Sequence, residues 1–554
     1  MPQNIDHIGI AQINTTVGDI QGNAQKIIEY ISEAKKHGIK VIIFPEYALT
    51  GCPLGDILTR FPVVKEESSR WLKEIAKHTP EISTIIGTVC PDSNTSCAAI
   101  LENGKIEKLI HNIGEYKDFI ITTGEDYKNF SNVSNKIIIN ICASQTKTYK
   151  EKNKHNELSN LAQKLNSVII HANQVGATDG IVFDGASRVY GQNGNLIARA
   201  KSFEEQLLLL RNKEIFPLAK DLEKSFDEPH KFSLNYDSDL GRTYEALVLG
   251  IRDYFNKTGF KRAVLGLSGG LDSTICAVLL ADALGAENVF GVSMPSKLTS
   301  AESKNDAEEL AKNLGIHFAQ APIKPMYETT NNSLQELFNN VETKWDCRYK
   351  QSFTPDNIQA RSRAILLWGI SNEFANCLPI ATSDKSESYM GYATINGDMS
   401  GGLAPIADVT KTKLFALARW MNKNRETKNA IPENVILKRP GAELAIDPKT
   451  GKTLAAEDAL MPYEFMDEII WRIENKHESY EDMLNSRFLY EKKTNISPEQ
   501  KTEWLDKFYR RMSTAIYKWT ILPPSIAIDA YSINKNDYHQ AITSSKINYR
   551  GHLI

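Results

Sequence analysis

Apolar residues in the first 215 positions fall into short β-branched runs set between stretches of helical periodicity. Residues 8–14 and 41–45 ("VIIFP") read as strands. The segment between them, "GDIQGNAQKIIEYISEAKKHG", puts Ile27, Ile28, Ile31 and Ala34 at helical spacing, with Gly38 as a stop. Further strand-like runs fall at 84–89, 137–142 and 167–171, the last after the helix-like "NELSNLAQKLN". This alternation predicts an α/β layered sandwich ending near "QLLLLRNKEI", residues 206–215. Residues 216–240 are charged and contain proline, the pattern of a linker. A second region opens with a helix over 241–259 and continues strand "RAVLGLS", helix "STICAVLLADALG", strand "NVFGVSMP" and helix "SAESKNDAEELAKNLG". Alternation at this spacing predicts right-handed βαβ units and a doubly wound parallel sheet. The expected division is 1–215, a linker at 216–240, and 241–554. Segments 327–356 and 445–463 read as lid-like loops.

Composition narrows the class. With 65 basic and 68 acidic residues the net charge is −3, which argues against a polybasic nucleic-acid surface. At 42% hydrophobic and 24% charged the chain is an ordinary globular protein. No run approaches the roughly 18–20 apolar residues that span a bilayer. The opening "MPQNIDHIGIAQIN" has no basic n-region, so no signal peptide is expected. Seven scattered cysteines without CxxC pairs suit a reducing cytoplasm.

The strongest chemical signal is "GLSGGLDS": Gly266, Leu267, Ser268, Gly269, Gly270, Leu271, Asp272 and Ser273. Small residues after a strand let backbone N–H groups converge on an anion, and the following helix N-terminus adds its partial positive charge. Asp272 supplies a carboxylate suited to Mg²⁺. Downstream, "NIQARSR" carries Asn357, Arg361 and Arg363. The stretch "IATSDKSESYMGYATINGDMSGG" carries Thr382, Glu387 and Asp398, and "DVTKTKLFALARWM" puts Lys411 ahead of an amphipathic helix. Arginines and lysines gathered near a nucleotide loop suit a polyanionic second substrate.

SGGxDS resembles the loop of the ATP pyrophosphatases. In order, "SGGLDS", "IQAR", "TSDKSE", "GYATINGD" and "PGAEL" resemble the SGGxDS, QAR, TGNKSE, GYAT–GD and P[ST]AEL motifs of NAD⁺ synthetases. The resemblance implies adenylation of deamido-NAD⁺ by ATP, followed by displacement of AMP by ammonia. Residues 266–273, Thr382 and Lys411 would hold ATP, and Asp272 and Glu387 would hold Mg²⁺. Asn357, Arg361, Glu387, Tyr392, Ala393, Thr394 and Ile395 would contact the dinucleotide. "IYKWTILPPS" resembles a basic YKR stretch and gives Lys518 a substrate role, with Trp519 where arginine is usual. A homo-oligomer through paired synthetase domains is also implied.

The front region resembles the nitrilase-like glutaminase domain of longer NAD⁺ synthetases. "IGIAQINTTVGDIQGNAQKI", "VIIFPEYALTGCPLGD" and "ANQVGATDGIVFDGASRVYGQNGNLIARA" carry the likeness. Amide hydrolysis there needs a thiolate, a glutamate base and an oxyanion-stabilising lysine. Glu46 stands in the base position. In place of an RKxxLPNYGVFDE-like motif the chain reads "HNIGEYKDFIITTGEDY", with Lys117 shifted. A CED- or CYD-like step is expected at a strand end, yet the stretch from Cys142 to Asn173 is too short for the strand–helix unit that should follow. The favoured reading is that the nucleophile and its unit are missing, that Cys142 is a structural thiol, and that free ammonia is used. The alternative is a complete glutamine-dependent enzyme with Cys142 as nucleophile.

Overall fold

The computed structural model describes residues 7–130, 133–147, 150–211, 236–341, 352–425, 427–441, 455–529, 531–533, 547–548 and 552–553. The chain divides into two compact units, 1–239 and 240–554.

In the first unit, strands β1 (His7–Gln12), β2 (Val41–Ile43), β3 (Ser83–Val89), β4 (Ser96–Glu102) and β5 (Lys105–His111) form one sheet. A second sheet holds β6 (Ile113–Tyr116), β7 (Phe119–Thr123), β8 (Ile137–Cys142) and β9 (Val168–Asn173). Strands β10 (Val175–Thr178) and β11 (Ile181–Asp184) make a hairpin. β12 (Arg188–Tyr190) and β13 (Leu196–Arg199) complete the second sheet, and β14 (Gln206–Arg211) returns to the first. The orders are β14-β1-β2-β3-β4-β5 and β13-β12-β9-β8-β7-β6.

Alternation along the strands explains the layering. Ile8, Ile10 and Ile43 of one sheet meet Ile121, Ile139, Ile141 and Ile170 of the other in a single buried core. The opposite face of the first sheet packs on Ile27, Ile31 and Ala34 of the helix Ile20–Lys36. That of the second packs on Leu158, Ala162 and Leu165 of the helix Lys150–Leu165.

Several expectations are corrected. If an inner strand–helix unit is missing, its neighbours must close the sheet, and β7, β8 and β9 do run side by side in parallel without a gap. The crossover between β7 and β8 is short, and among its described residues it holds only the 3₁₀ turn Asp126–Asn129. β5 passes into β6 across Asn112 alone, at φ 53°. The segment expected as a linker already starts a helix at Tyr236, running to Thr258, where Asp239 suits the positive end of the helix dipole. Segment 327–356 is helical at its start, within the helix Lys324–Asn339, because Pro325 sits in its first turn and nothing up to Asn339 breaks the periodicity. Its remainder at 342–351 lies outside the described residues, as do 442–454, which hold most of "PGAEL".

The second unit is built on the parallel order β17-β16-β15-β18: β15 is Arg262–Gly266, β16 Val289–Ser293, β17 His317–Gln320 and β18 Cys377–Pro379. The chain steps outward from β15 to β16 and β17, then returns to the other side of β15 with β18. That reversal opens a crevice beyond the carboxyl end of β15, the ligand position of doubly wound sheets.

Candidate active site

The phosphate loop lies in that crevice. Gly266 ends β15, Leu267 donates its N–H to Val292 O at 2.9 Å, and the helix Leu271–Leu284 begins directly after Gly270. Inside the turn, Gly270 N–H donates to Ser268 Oγ at 3.2 Å, and the hydroxyls of Ser268 and Ser273 lie 3.1 Å apart. Gly269 adopts φ +74°, and a Cβ there would sit 2.1 Å from Ser303 O, so only glycine fits.

Asp272, in the first turn of that helix, meets Lys411, the first residue of the helix Lys411–Asn424. Lys411 Nζ lies 2.7 Å from Asp272 Oδ1, 2.6 Å from Asp384 Oδ2 and 3.1 Å from Glu387 Oε1, and it is 1% exposed. Burial opposes its charge, but the three carboxylates raise its pKa well above the ordinary lysine value. Burial and the neighbouring acids push the Glu387 carboxyl well up and Asp384 up to about 6, with Lys411 opposing.

One ammonium therefore faces three carboxylates. Oxygens of Asp272, Asp384 and Glu387 lie within 4.8 Å of one another, a hard-oxygen set that fits a divalent cation such as Mg²⁺. Asp384 was not singled out from the sequence. The signal was there: "TSDKSE" carries aspartate where the TGNKSE pattern has asparagine.

The expected dinucleotide residues also come together. Lys518 Nζ donates to Gly391 O at 2.7 Å and to Ala393 O at 2.6 Å. Arg361 Nε donates to Ile395 O at 3.2 Å, and Thr394 Oγ1 donates to Asn357 Oδ1 at 2.8 Å. Tyr392 has the Arg511 guanidinium 5.9 Å from its ring centroid. The loop 391–398 is thus clasped from two helices. Thr382 follows β18, next to Ala381, whose N–H donates to Leu403 O at 2.9 Å. Arg363 turns away, to Met294 O at 3.1 Å.

Two residues serve the frame. Trp519 is buried and donates Nε1–H to Ser388 O at 2.8 Å, a role that suits an indole where arginine is usual. Lys385, fully buried, joins Glu474 at 2.7 Å, Asp408 at 3.1 Å and Asp529 at 3.3 Å, anchoring the helix Lys385–Tyr389 that carries Glu387.

In the first unit, Glu46 is buried. It accepts hydrogen bonds from Ser96 Oγ and, at 3.2 Å, from Ala143 N–H. Burial pushes its carboxyl up, with both bonds opposing. Among the described residues, none of these partners is a lysine. Lys117 pairs with Glu102 at 2.5 Å, and Lys154 donates to Tyr127 Oη at 2.7 Å. Cys142 ends β8, 2% exposed. Alternation puts it with Ile138, facing the Tyr127 and helix layer rather than the inter-sheet core.

Comparison with known proteins adds the following. Residues 243–505 match the NAD synthase family model, and residues 7–106 match that of the carbon-nitrogen hydrolases. A glutamine-dependent NAD(+) synthetase of Synechocystis sp. is 33% identical over 533 residues, covering 87% of this chain and 90% of that protein. The glutamine-dependent NAD⁺ synthetase of Acinetobacter baumannii, solved in complex with ADP, matches with a TM-score of 0.69 at 27% identity, over 98% of each chain. A glutamine-dependent NAD(+) synthetase of Cytophaga hutchinsonii shares the fold, with a TM-score of 0.79 at 22% identity over 98% of each chain.

Proposed function

This chain belongs to the NAD(+) synthetase family of carbon–nitrogen ligases, and from that premise we propose that it makes NAD⁺ from deamido-NAD⁺, ATP and ammonia, releasing AMP and pyrophosphate. One observation carries the reading: Lys411 ties Asp272 of the phosphate loop to Asp384 and Glu387 in the crevice of the parallel sheet. In the first step a nicotinate carboxylate oxygen attacks the α-phosphorus of ATP, and pyrophosphate leaves. Residues 266–273 and Thr382 hold the nucleotide, and the buried Lys411 ammonium offsets charge as it moves onto the leaving group. Asp272, Glu387 and Asp384 would hold Mg²⁺, which when bound supplies positive charge to the phosphate oxygens. In the second step ammonia attacks the acyl carbon, AMP departs with the C–O electron pair, and the amine loses a proton. Asn357, Arg361, Lys518 and 392–395 fix the dinucleotide so that its carboxylate meets ATP in line.

Two sources of ammonia remain distinct proposals. The relatives are named as glutamine-dependent, which favours the alternative: the front unit hydrolyses glutamine, with Cys142 as nucleophile. The geometry of this chain supports free ammonia instead, with the front unit retained as scaffold, since Cys142 faces the helix layer and Lys117 is engaged by Glu102. Steady-state NAD⁺ formation, run separately with ammonium and with glutamine, tests both. Free-ammonia use requires synthesis from ammonium with little gain from glutamine, unchanged within about twofold in Cys142→Ala, a buried thiol outside the ligase site. Glutamine-driven synthesis lost in Cys142→Ala while the ammonium reaction persists would establish the alternative. Among the described residues no helix is long and apolar enough to cross a membrane. The family resemblance supports, as part of this proposal, a cytoplasmic homo-oligomer paired through its synthetase units.

A further inference from the structure

The turn after β7 has the features of a nucleophile site without a nucleophile. β7 ends at Thr123, the chain turns at Gly124 with φ +57°, and the 3₁₀ turn Asp126–Asn129 follows. β8 pins both sides of Gly124: its N–H donates to Ile141 O at 2.9 Å, and its carbonyl accepts from Asn140 Nδ2 at 2.8 Å. A Cβ built on Gly124 would stand 3.7 Å from both Oε1 and Oε2 of Glu46, an ordinary van der Waals contact. Gly87 differs, because a Cβ there would come within 2.3 Å of Glu46 Cα. Crowding therefore explains Gly87 and does not explain Gly124. A strained strand-to-helix turn is the device by which a nucleophile is presented at a strand end. The local sequence Gly124-Glu125-Asp126 reads GED where a CED step is expected.

We infer that Gly124, not Cys142, occupies the nucleophile position of the front unit, and that this amide-cleaving centre has lost its thiol while keeping its carboxylate, Glu46. The inference rests on the amidase-like reading of that unit under the proposed function. Cys142 lies one strand away, on the face that holds Tyr127.

The test is covalent labelling by a diazo-ketone analogue of glutamine. A thiol proton passes to the diazo carbon, the C–S bond forms and N₂ leaves, so the thioether needs no further reactant. Wild type should remain unlabelled. Gly124→Cys should gain one adduct at position 124, located by peptide mapping, at a rate that Glu46→Gln in the same chain lowers about 100-fold, the scale of a positioned base. The inference is overturned if wild type is labelled at Cys142. It is equally overturned if Gly124→Cys, folded by circular dichroism, labels no faster with Glu46 than with Glu46→Gln. Should Gly124→Cys aggregate, the wild-type result alone decides: a label on Cys142 overturns the inference, and an unlabelled chain supports it. NAD⁺ formation from ammonium, measured on the same wild-type preparation, tests the ligase reading independently of either outcome.

Discussion

Replacing Asp384 by asparagine should stabilise the ligand-free protein above about pH 6. Asp384 is fully buried beside Lys411, and its Oδ1 accepts the N–H of Glu387 at 2.8 Å, capping the helix Lys385–Tyr389. Asparagine caps as well as aspartate does, so that bond is kept. What is lost is one of three negative charges around a single ammonium, and Asp272 and Glu387 still neutralise Lys411. Burial raises the Asp384 carboxyl from its usual 3.8 to about 6, with Lys411 opposing and Asp272 adding to the rise. The folded state therefore holds this proton more tightly than the unfolded chain does. The resulting stability is complete below about pH 4 and is lost as pH rises through about 6. At 1.36 kcal/mol per pH unit the full effect is about 3 kcal/mol, and burying an amide instead takes back part of it. A gain of about 1–3 kcal/mol for Asp384→Asn at pH 8 is expected, vanishing near pH 4. Urea titrations at both pH values, with a chelator present, measure it. Added Mg²⁺ should stabilise wild type more than the variant, because wild type offers one more carboxylate. A loss greater than about 1 kcal/mol at pH 8 in chelator would refute the reasoning, because the ion pair with Lys411 would then outweigh the cost of burial.

Lys411→Met should lower turnover by 10²-fold or more, about the contribution of one positioned charge, and a pyrophosphate-release assay within threefold of wild type would contradict its placement. Gly269→Ala must move the loop by nearly the overlap with Ser303 O, and a misplacement of about 1 Å can cost 10²-fold. ATP titration should show the loss, and unchanged affinity would mean the loop does not hold nucleotide. Arg361→Ala should weaken deamido-NAD⁺ by roughly 10- to 150-fold while leaving ATP nearly unaffected, by calorimetry, and the reverse pattern would exchange the two subsites. Glu474 is raised to about 7 by burial against the pull of Lys385, so it contributes stability that falls away between about pH 4.5 and 7. In Glu474→Gln the melting temperature should vary less with pH over that window, and an identical profile would count against the shift.

The synthetase unit was legible because its chemistry is local. "SGGLDS" prescribes a strand, a tight turn and a helix start within eight residues, and the turn at Gly269 against Ser303 has the geometry those residues demand. Asn357, Arg361 and Lys518 were found for the same reason, each within a short motif. Their convergence on loop 391–398 could not be read, since it depends on helices more than a hundred residues apart in the chain. Lys385 shows the limit: sequence places it between two acidic residues of the site, yet its side chain points into a separate buried cluster. A short helix presents successive residues to different sides, and nothing local says which side is the crevice.

The front unit is less legible, because counting residues does not say which part of a strand–helix unit is missing. The stretch from Cys142 to Asn173 is short for an extra strand and helix, which implies that a strand–helix unit is missing before Cys142. Sheet order shows the strand to be present, since β7, β8 and β9 lie side by side in parallel, and the described residues between β7 and β8 hold a single 3₁₀ turn. A strand of five residues, "FIITT", followed by glycine carries no thiol to draw attention, while "IIINIC" ends on one. Attention to cysteine therefore puts the alternative reading, Cys142 as nucleophile, on the neighbouring strand. What distinguishes the two strand ends is the carboxylate: the side-chain direction of Gly124 points at both oxygens of Glu46, whereas Glu46 meets only the backbone beyond Cys142. A glycine kept at positive φ beside a buried base is a position from which one atom group can be removed without disturbing the sheet. Both six-stranded sheets are kept around that position.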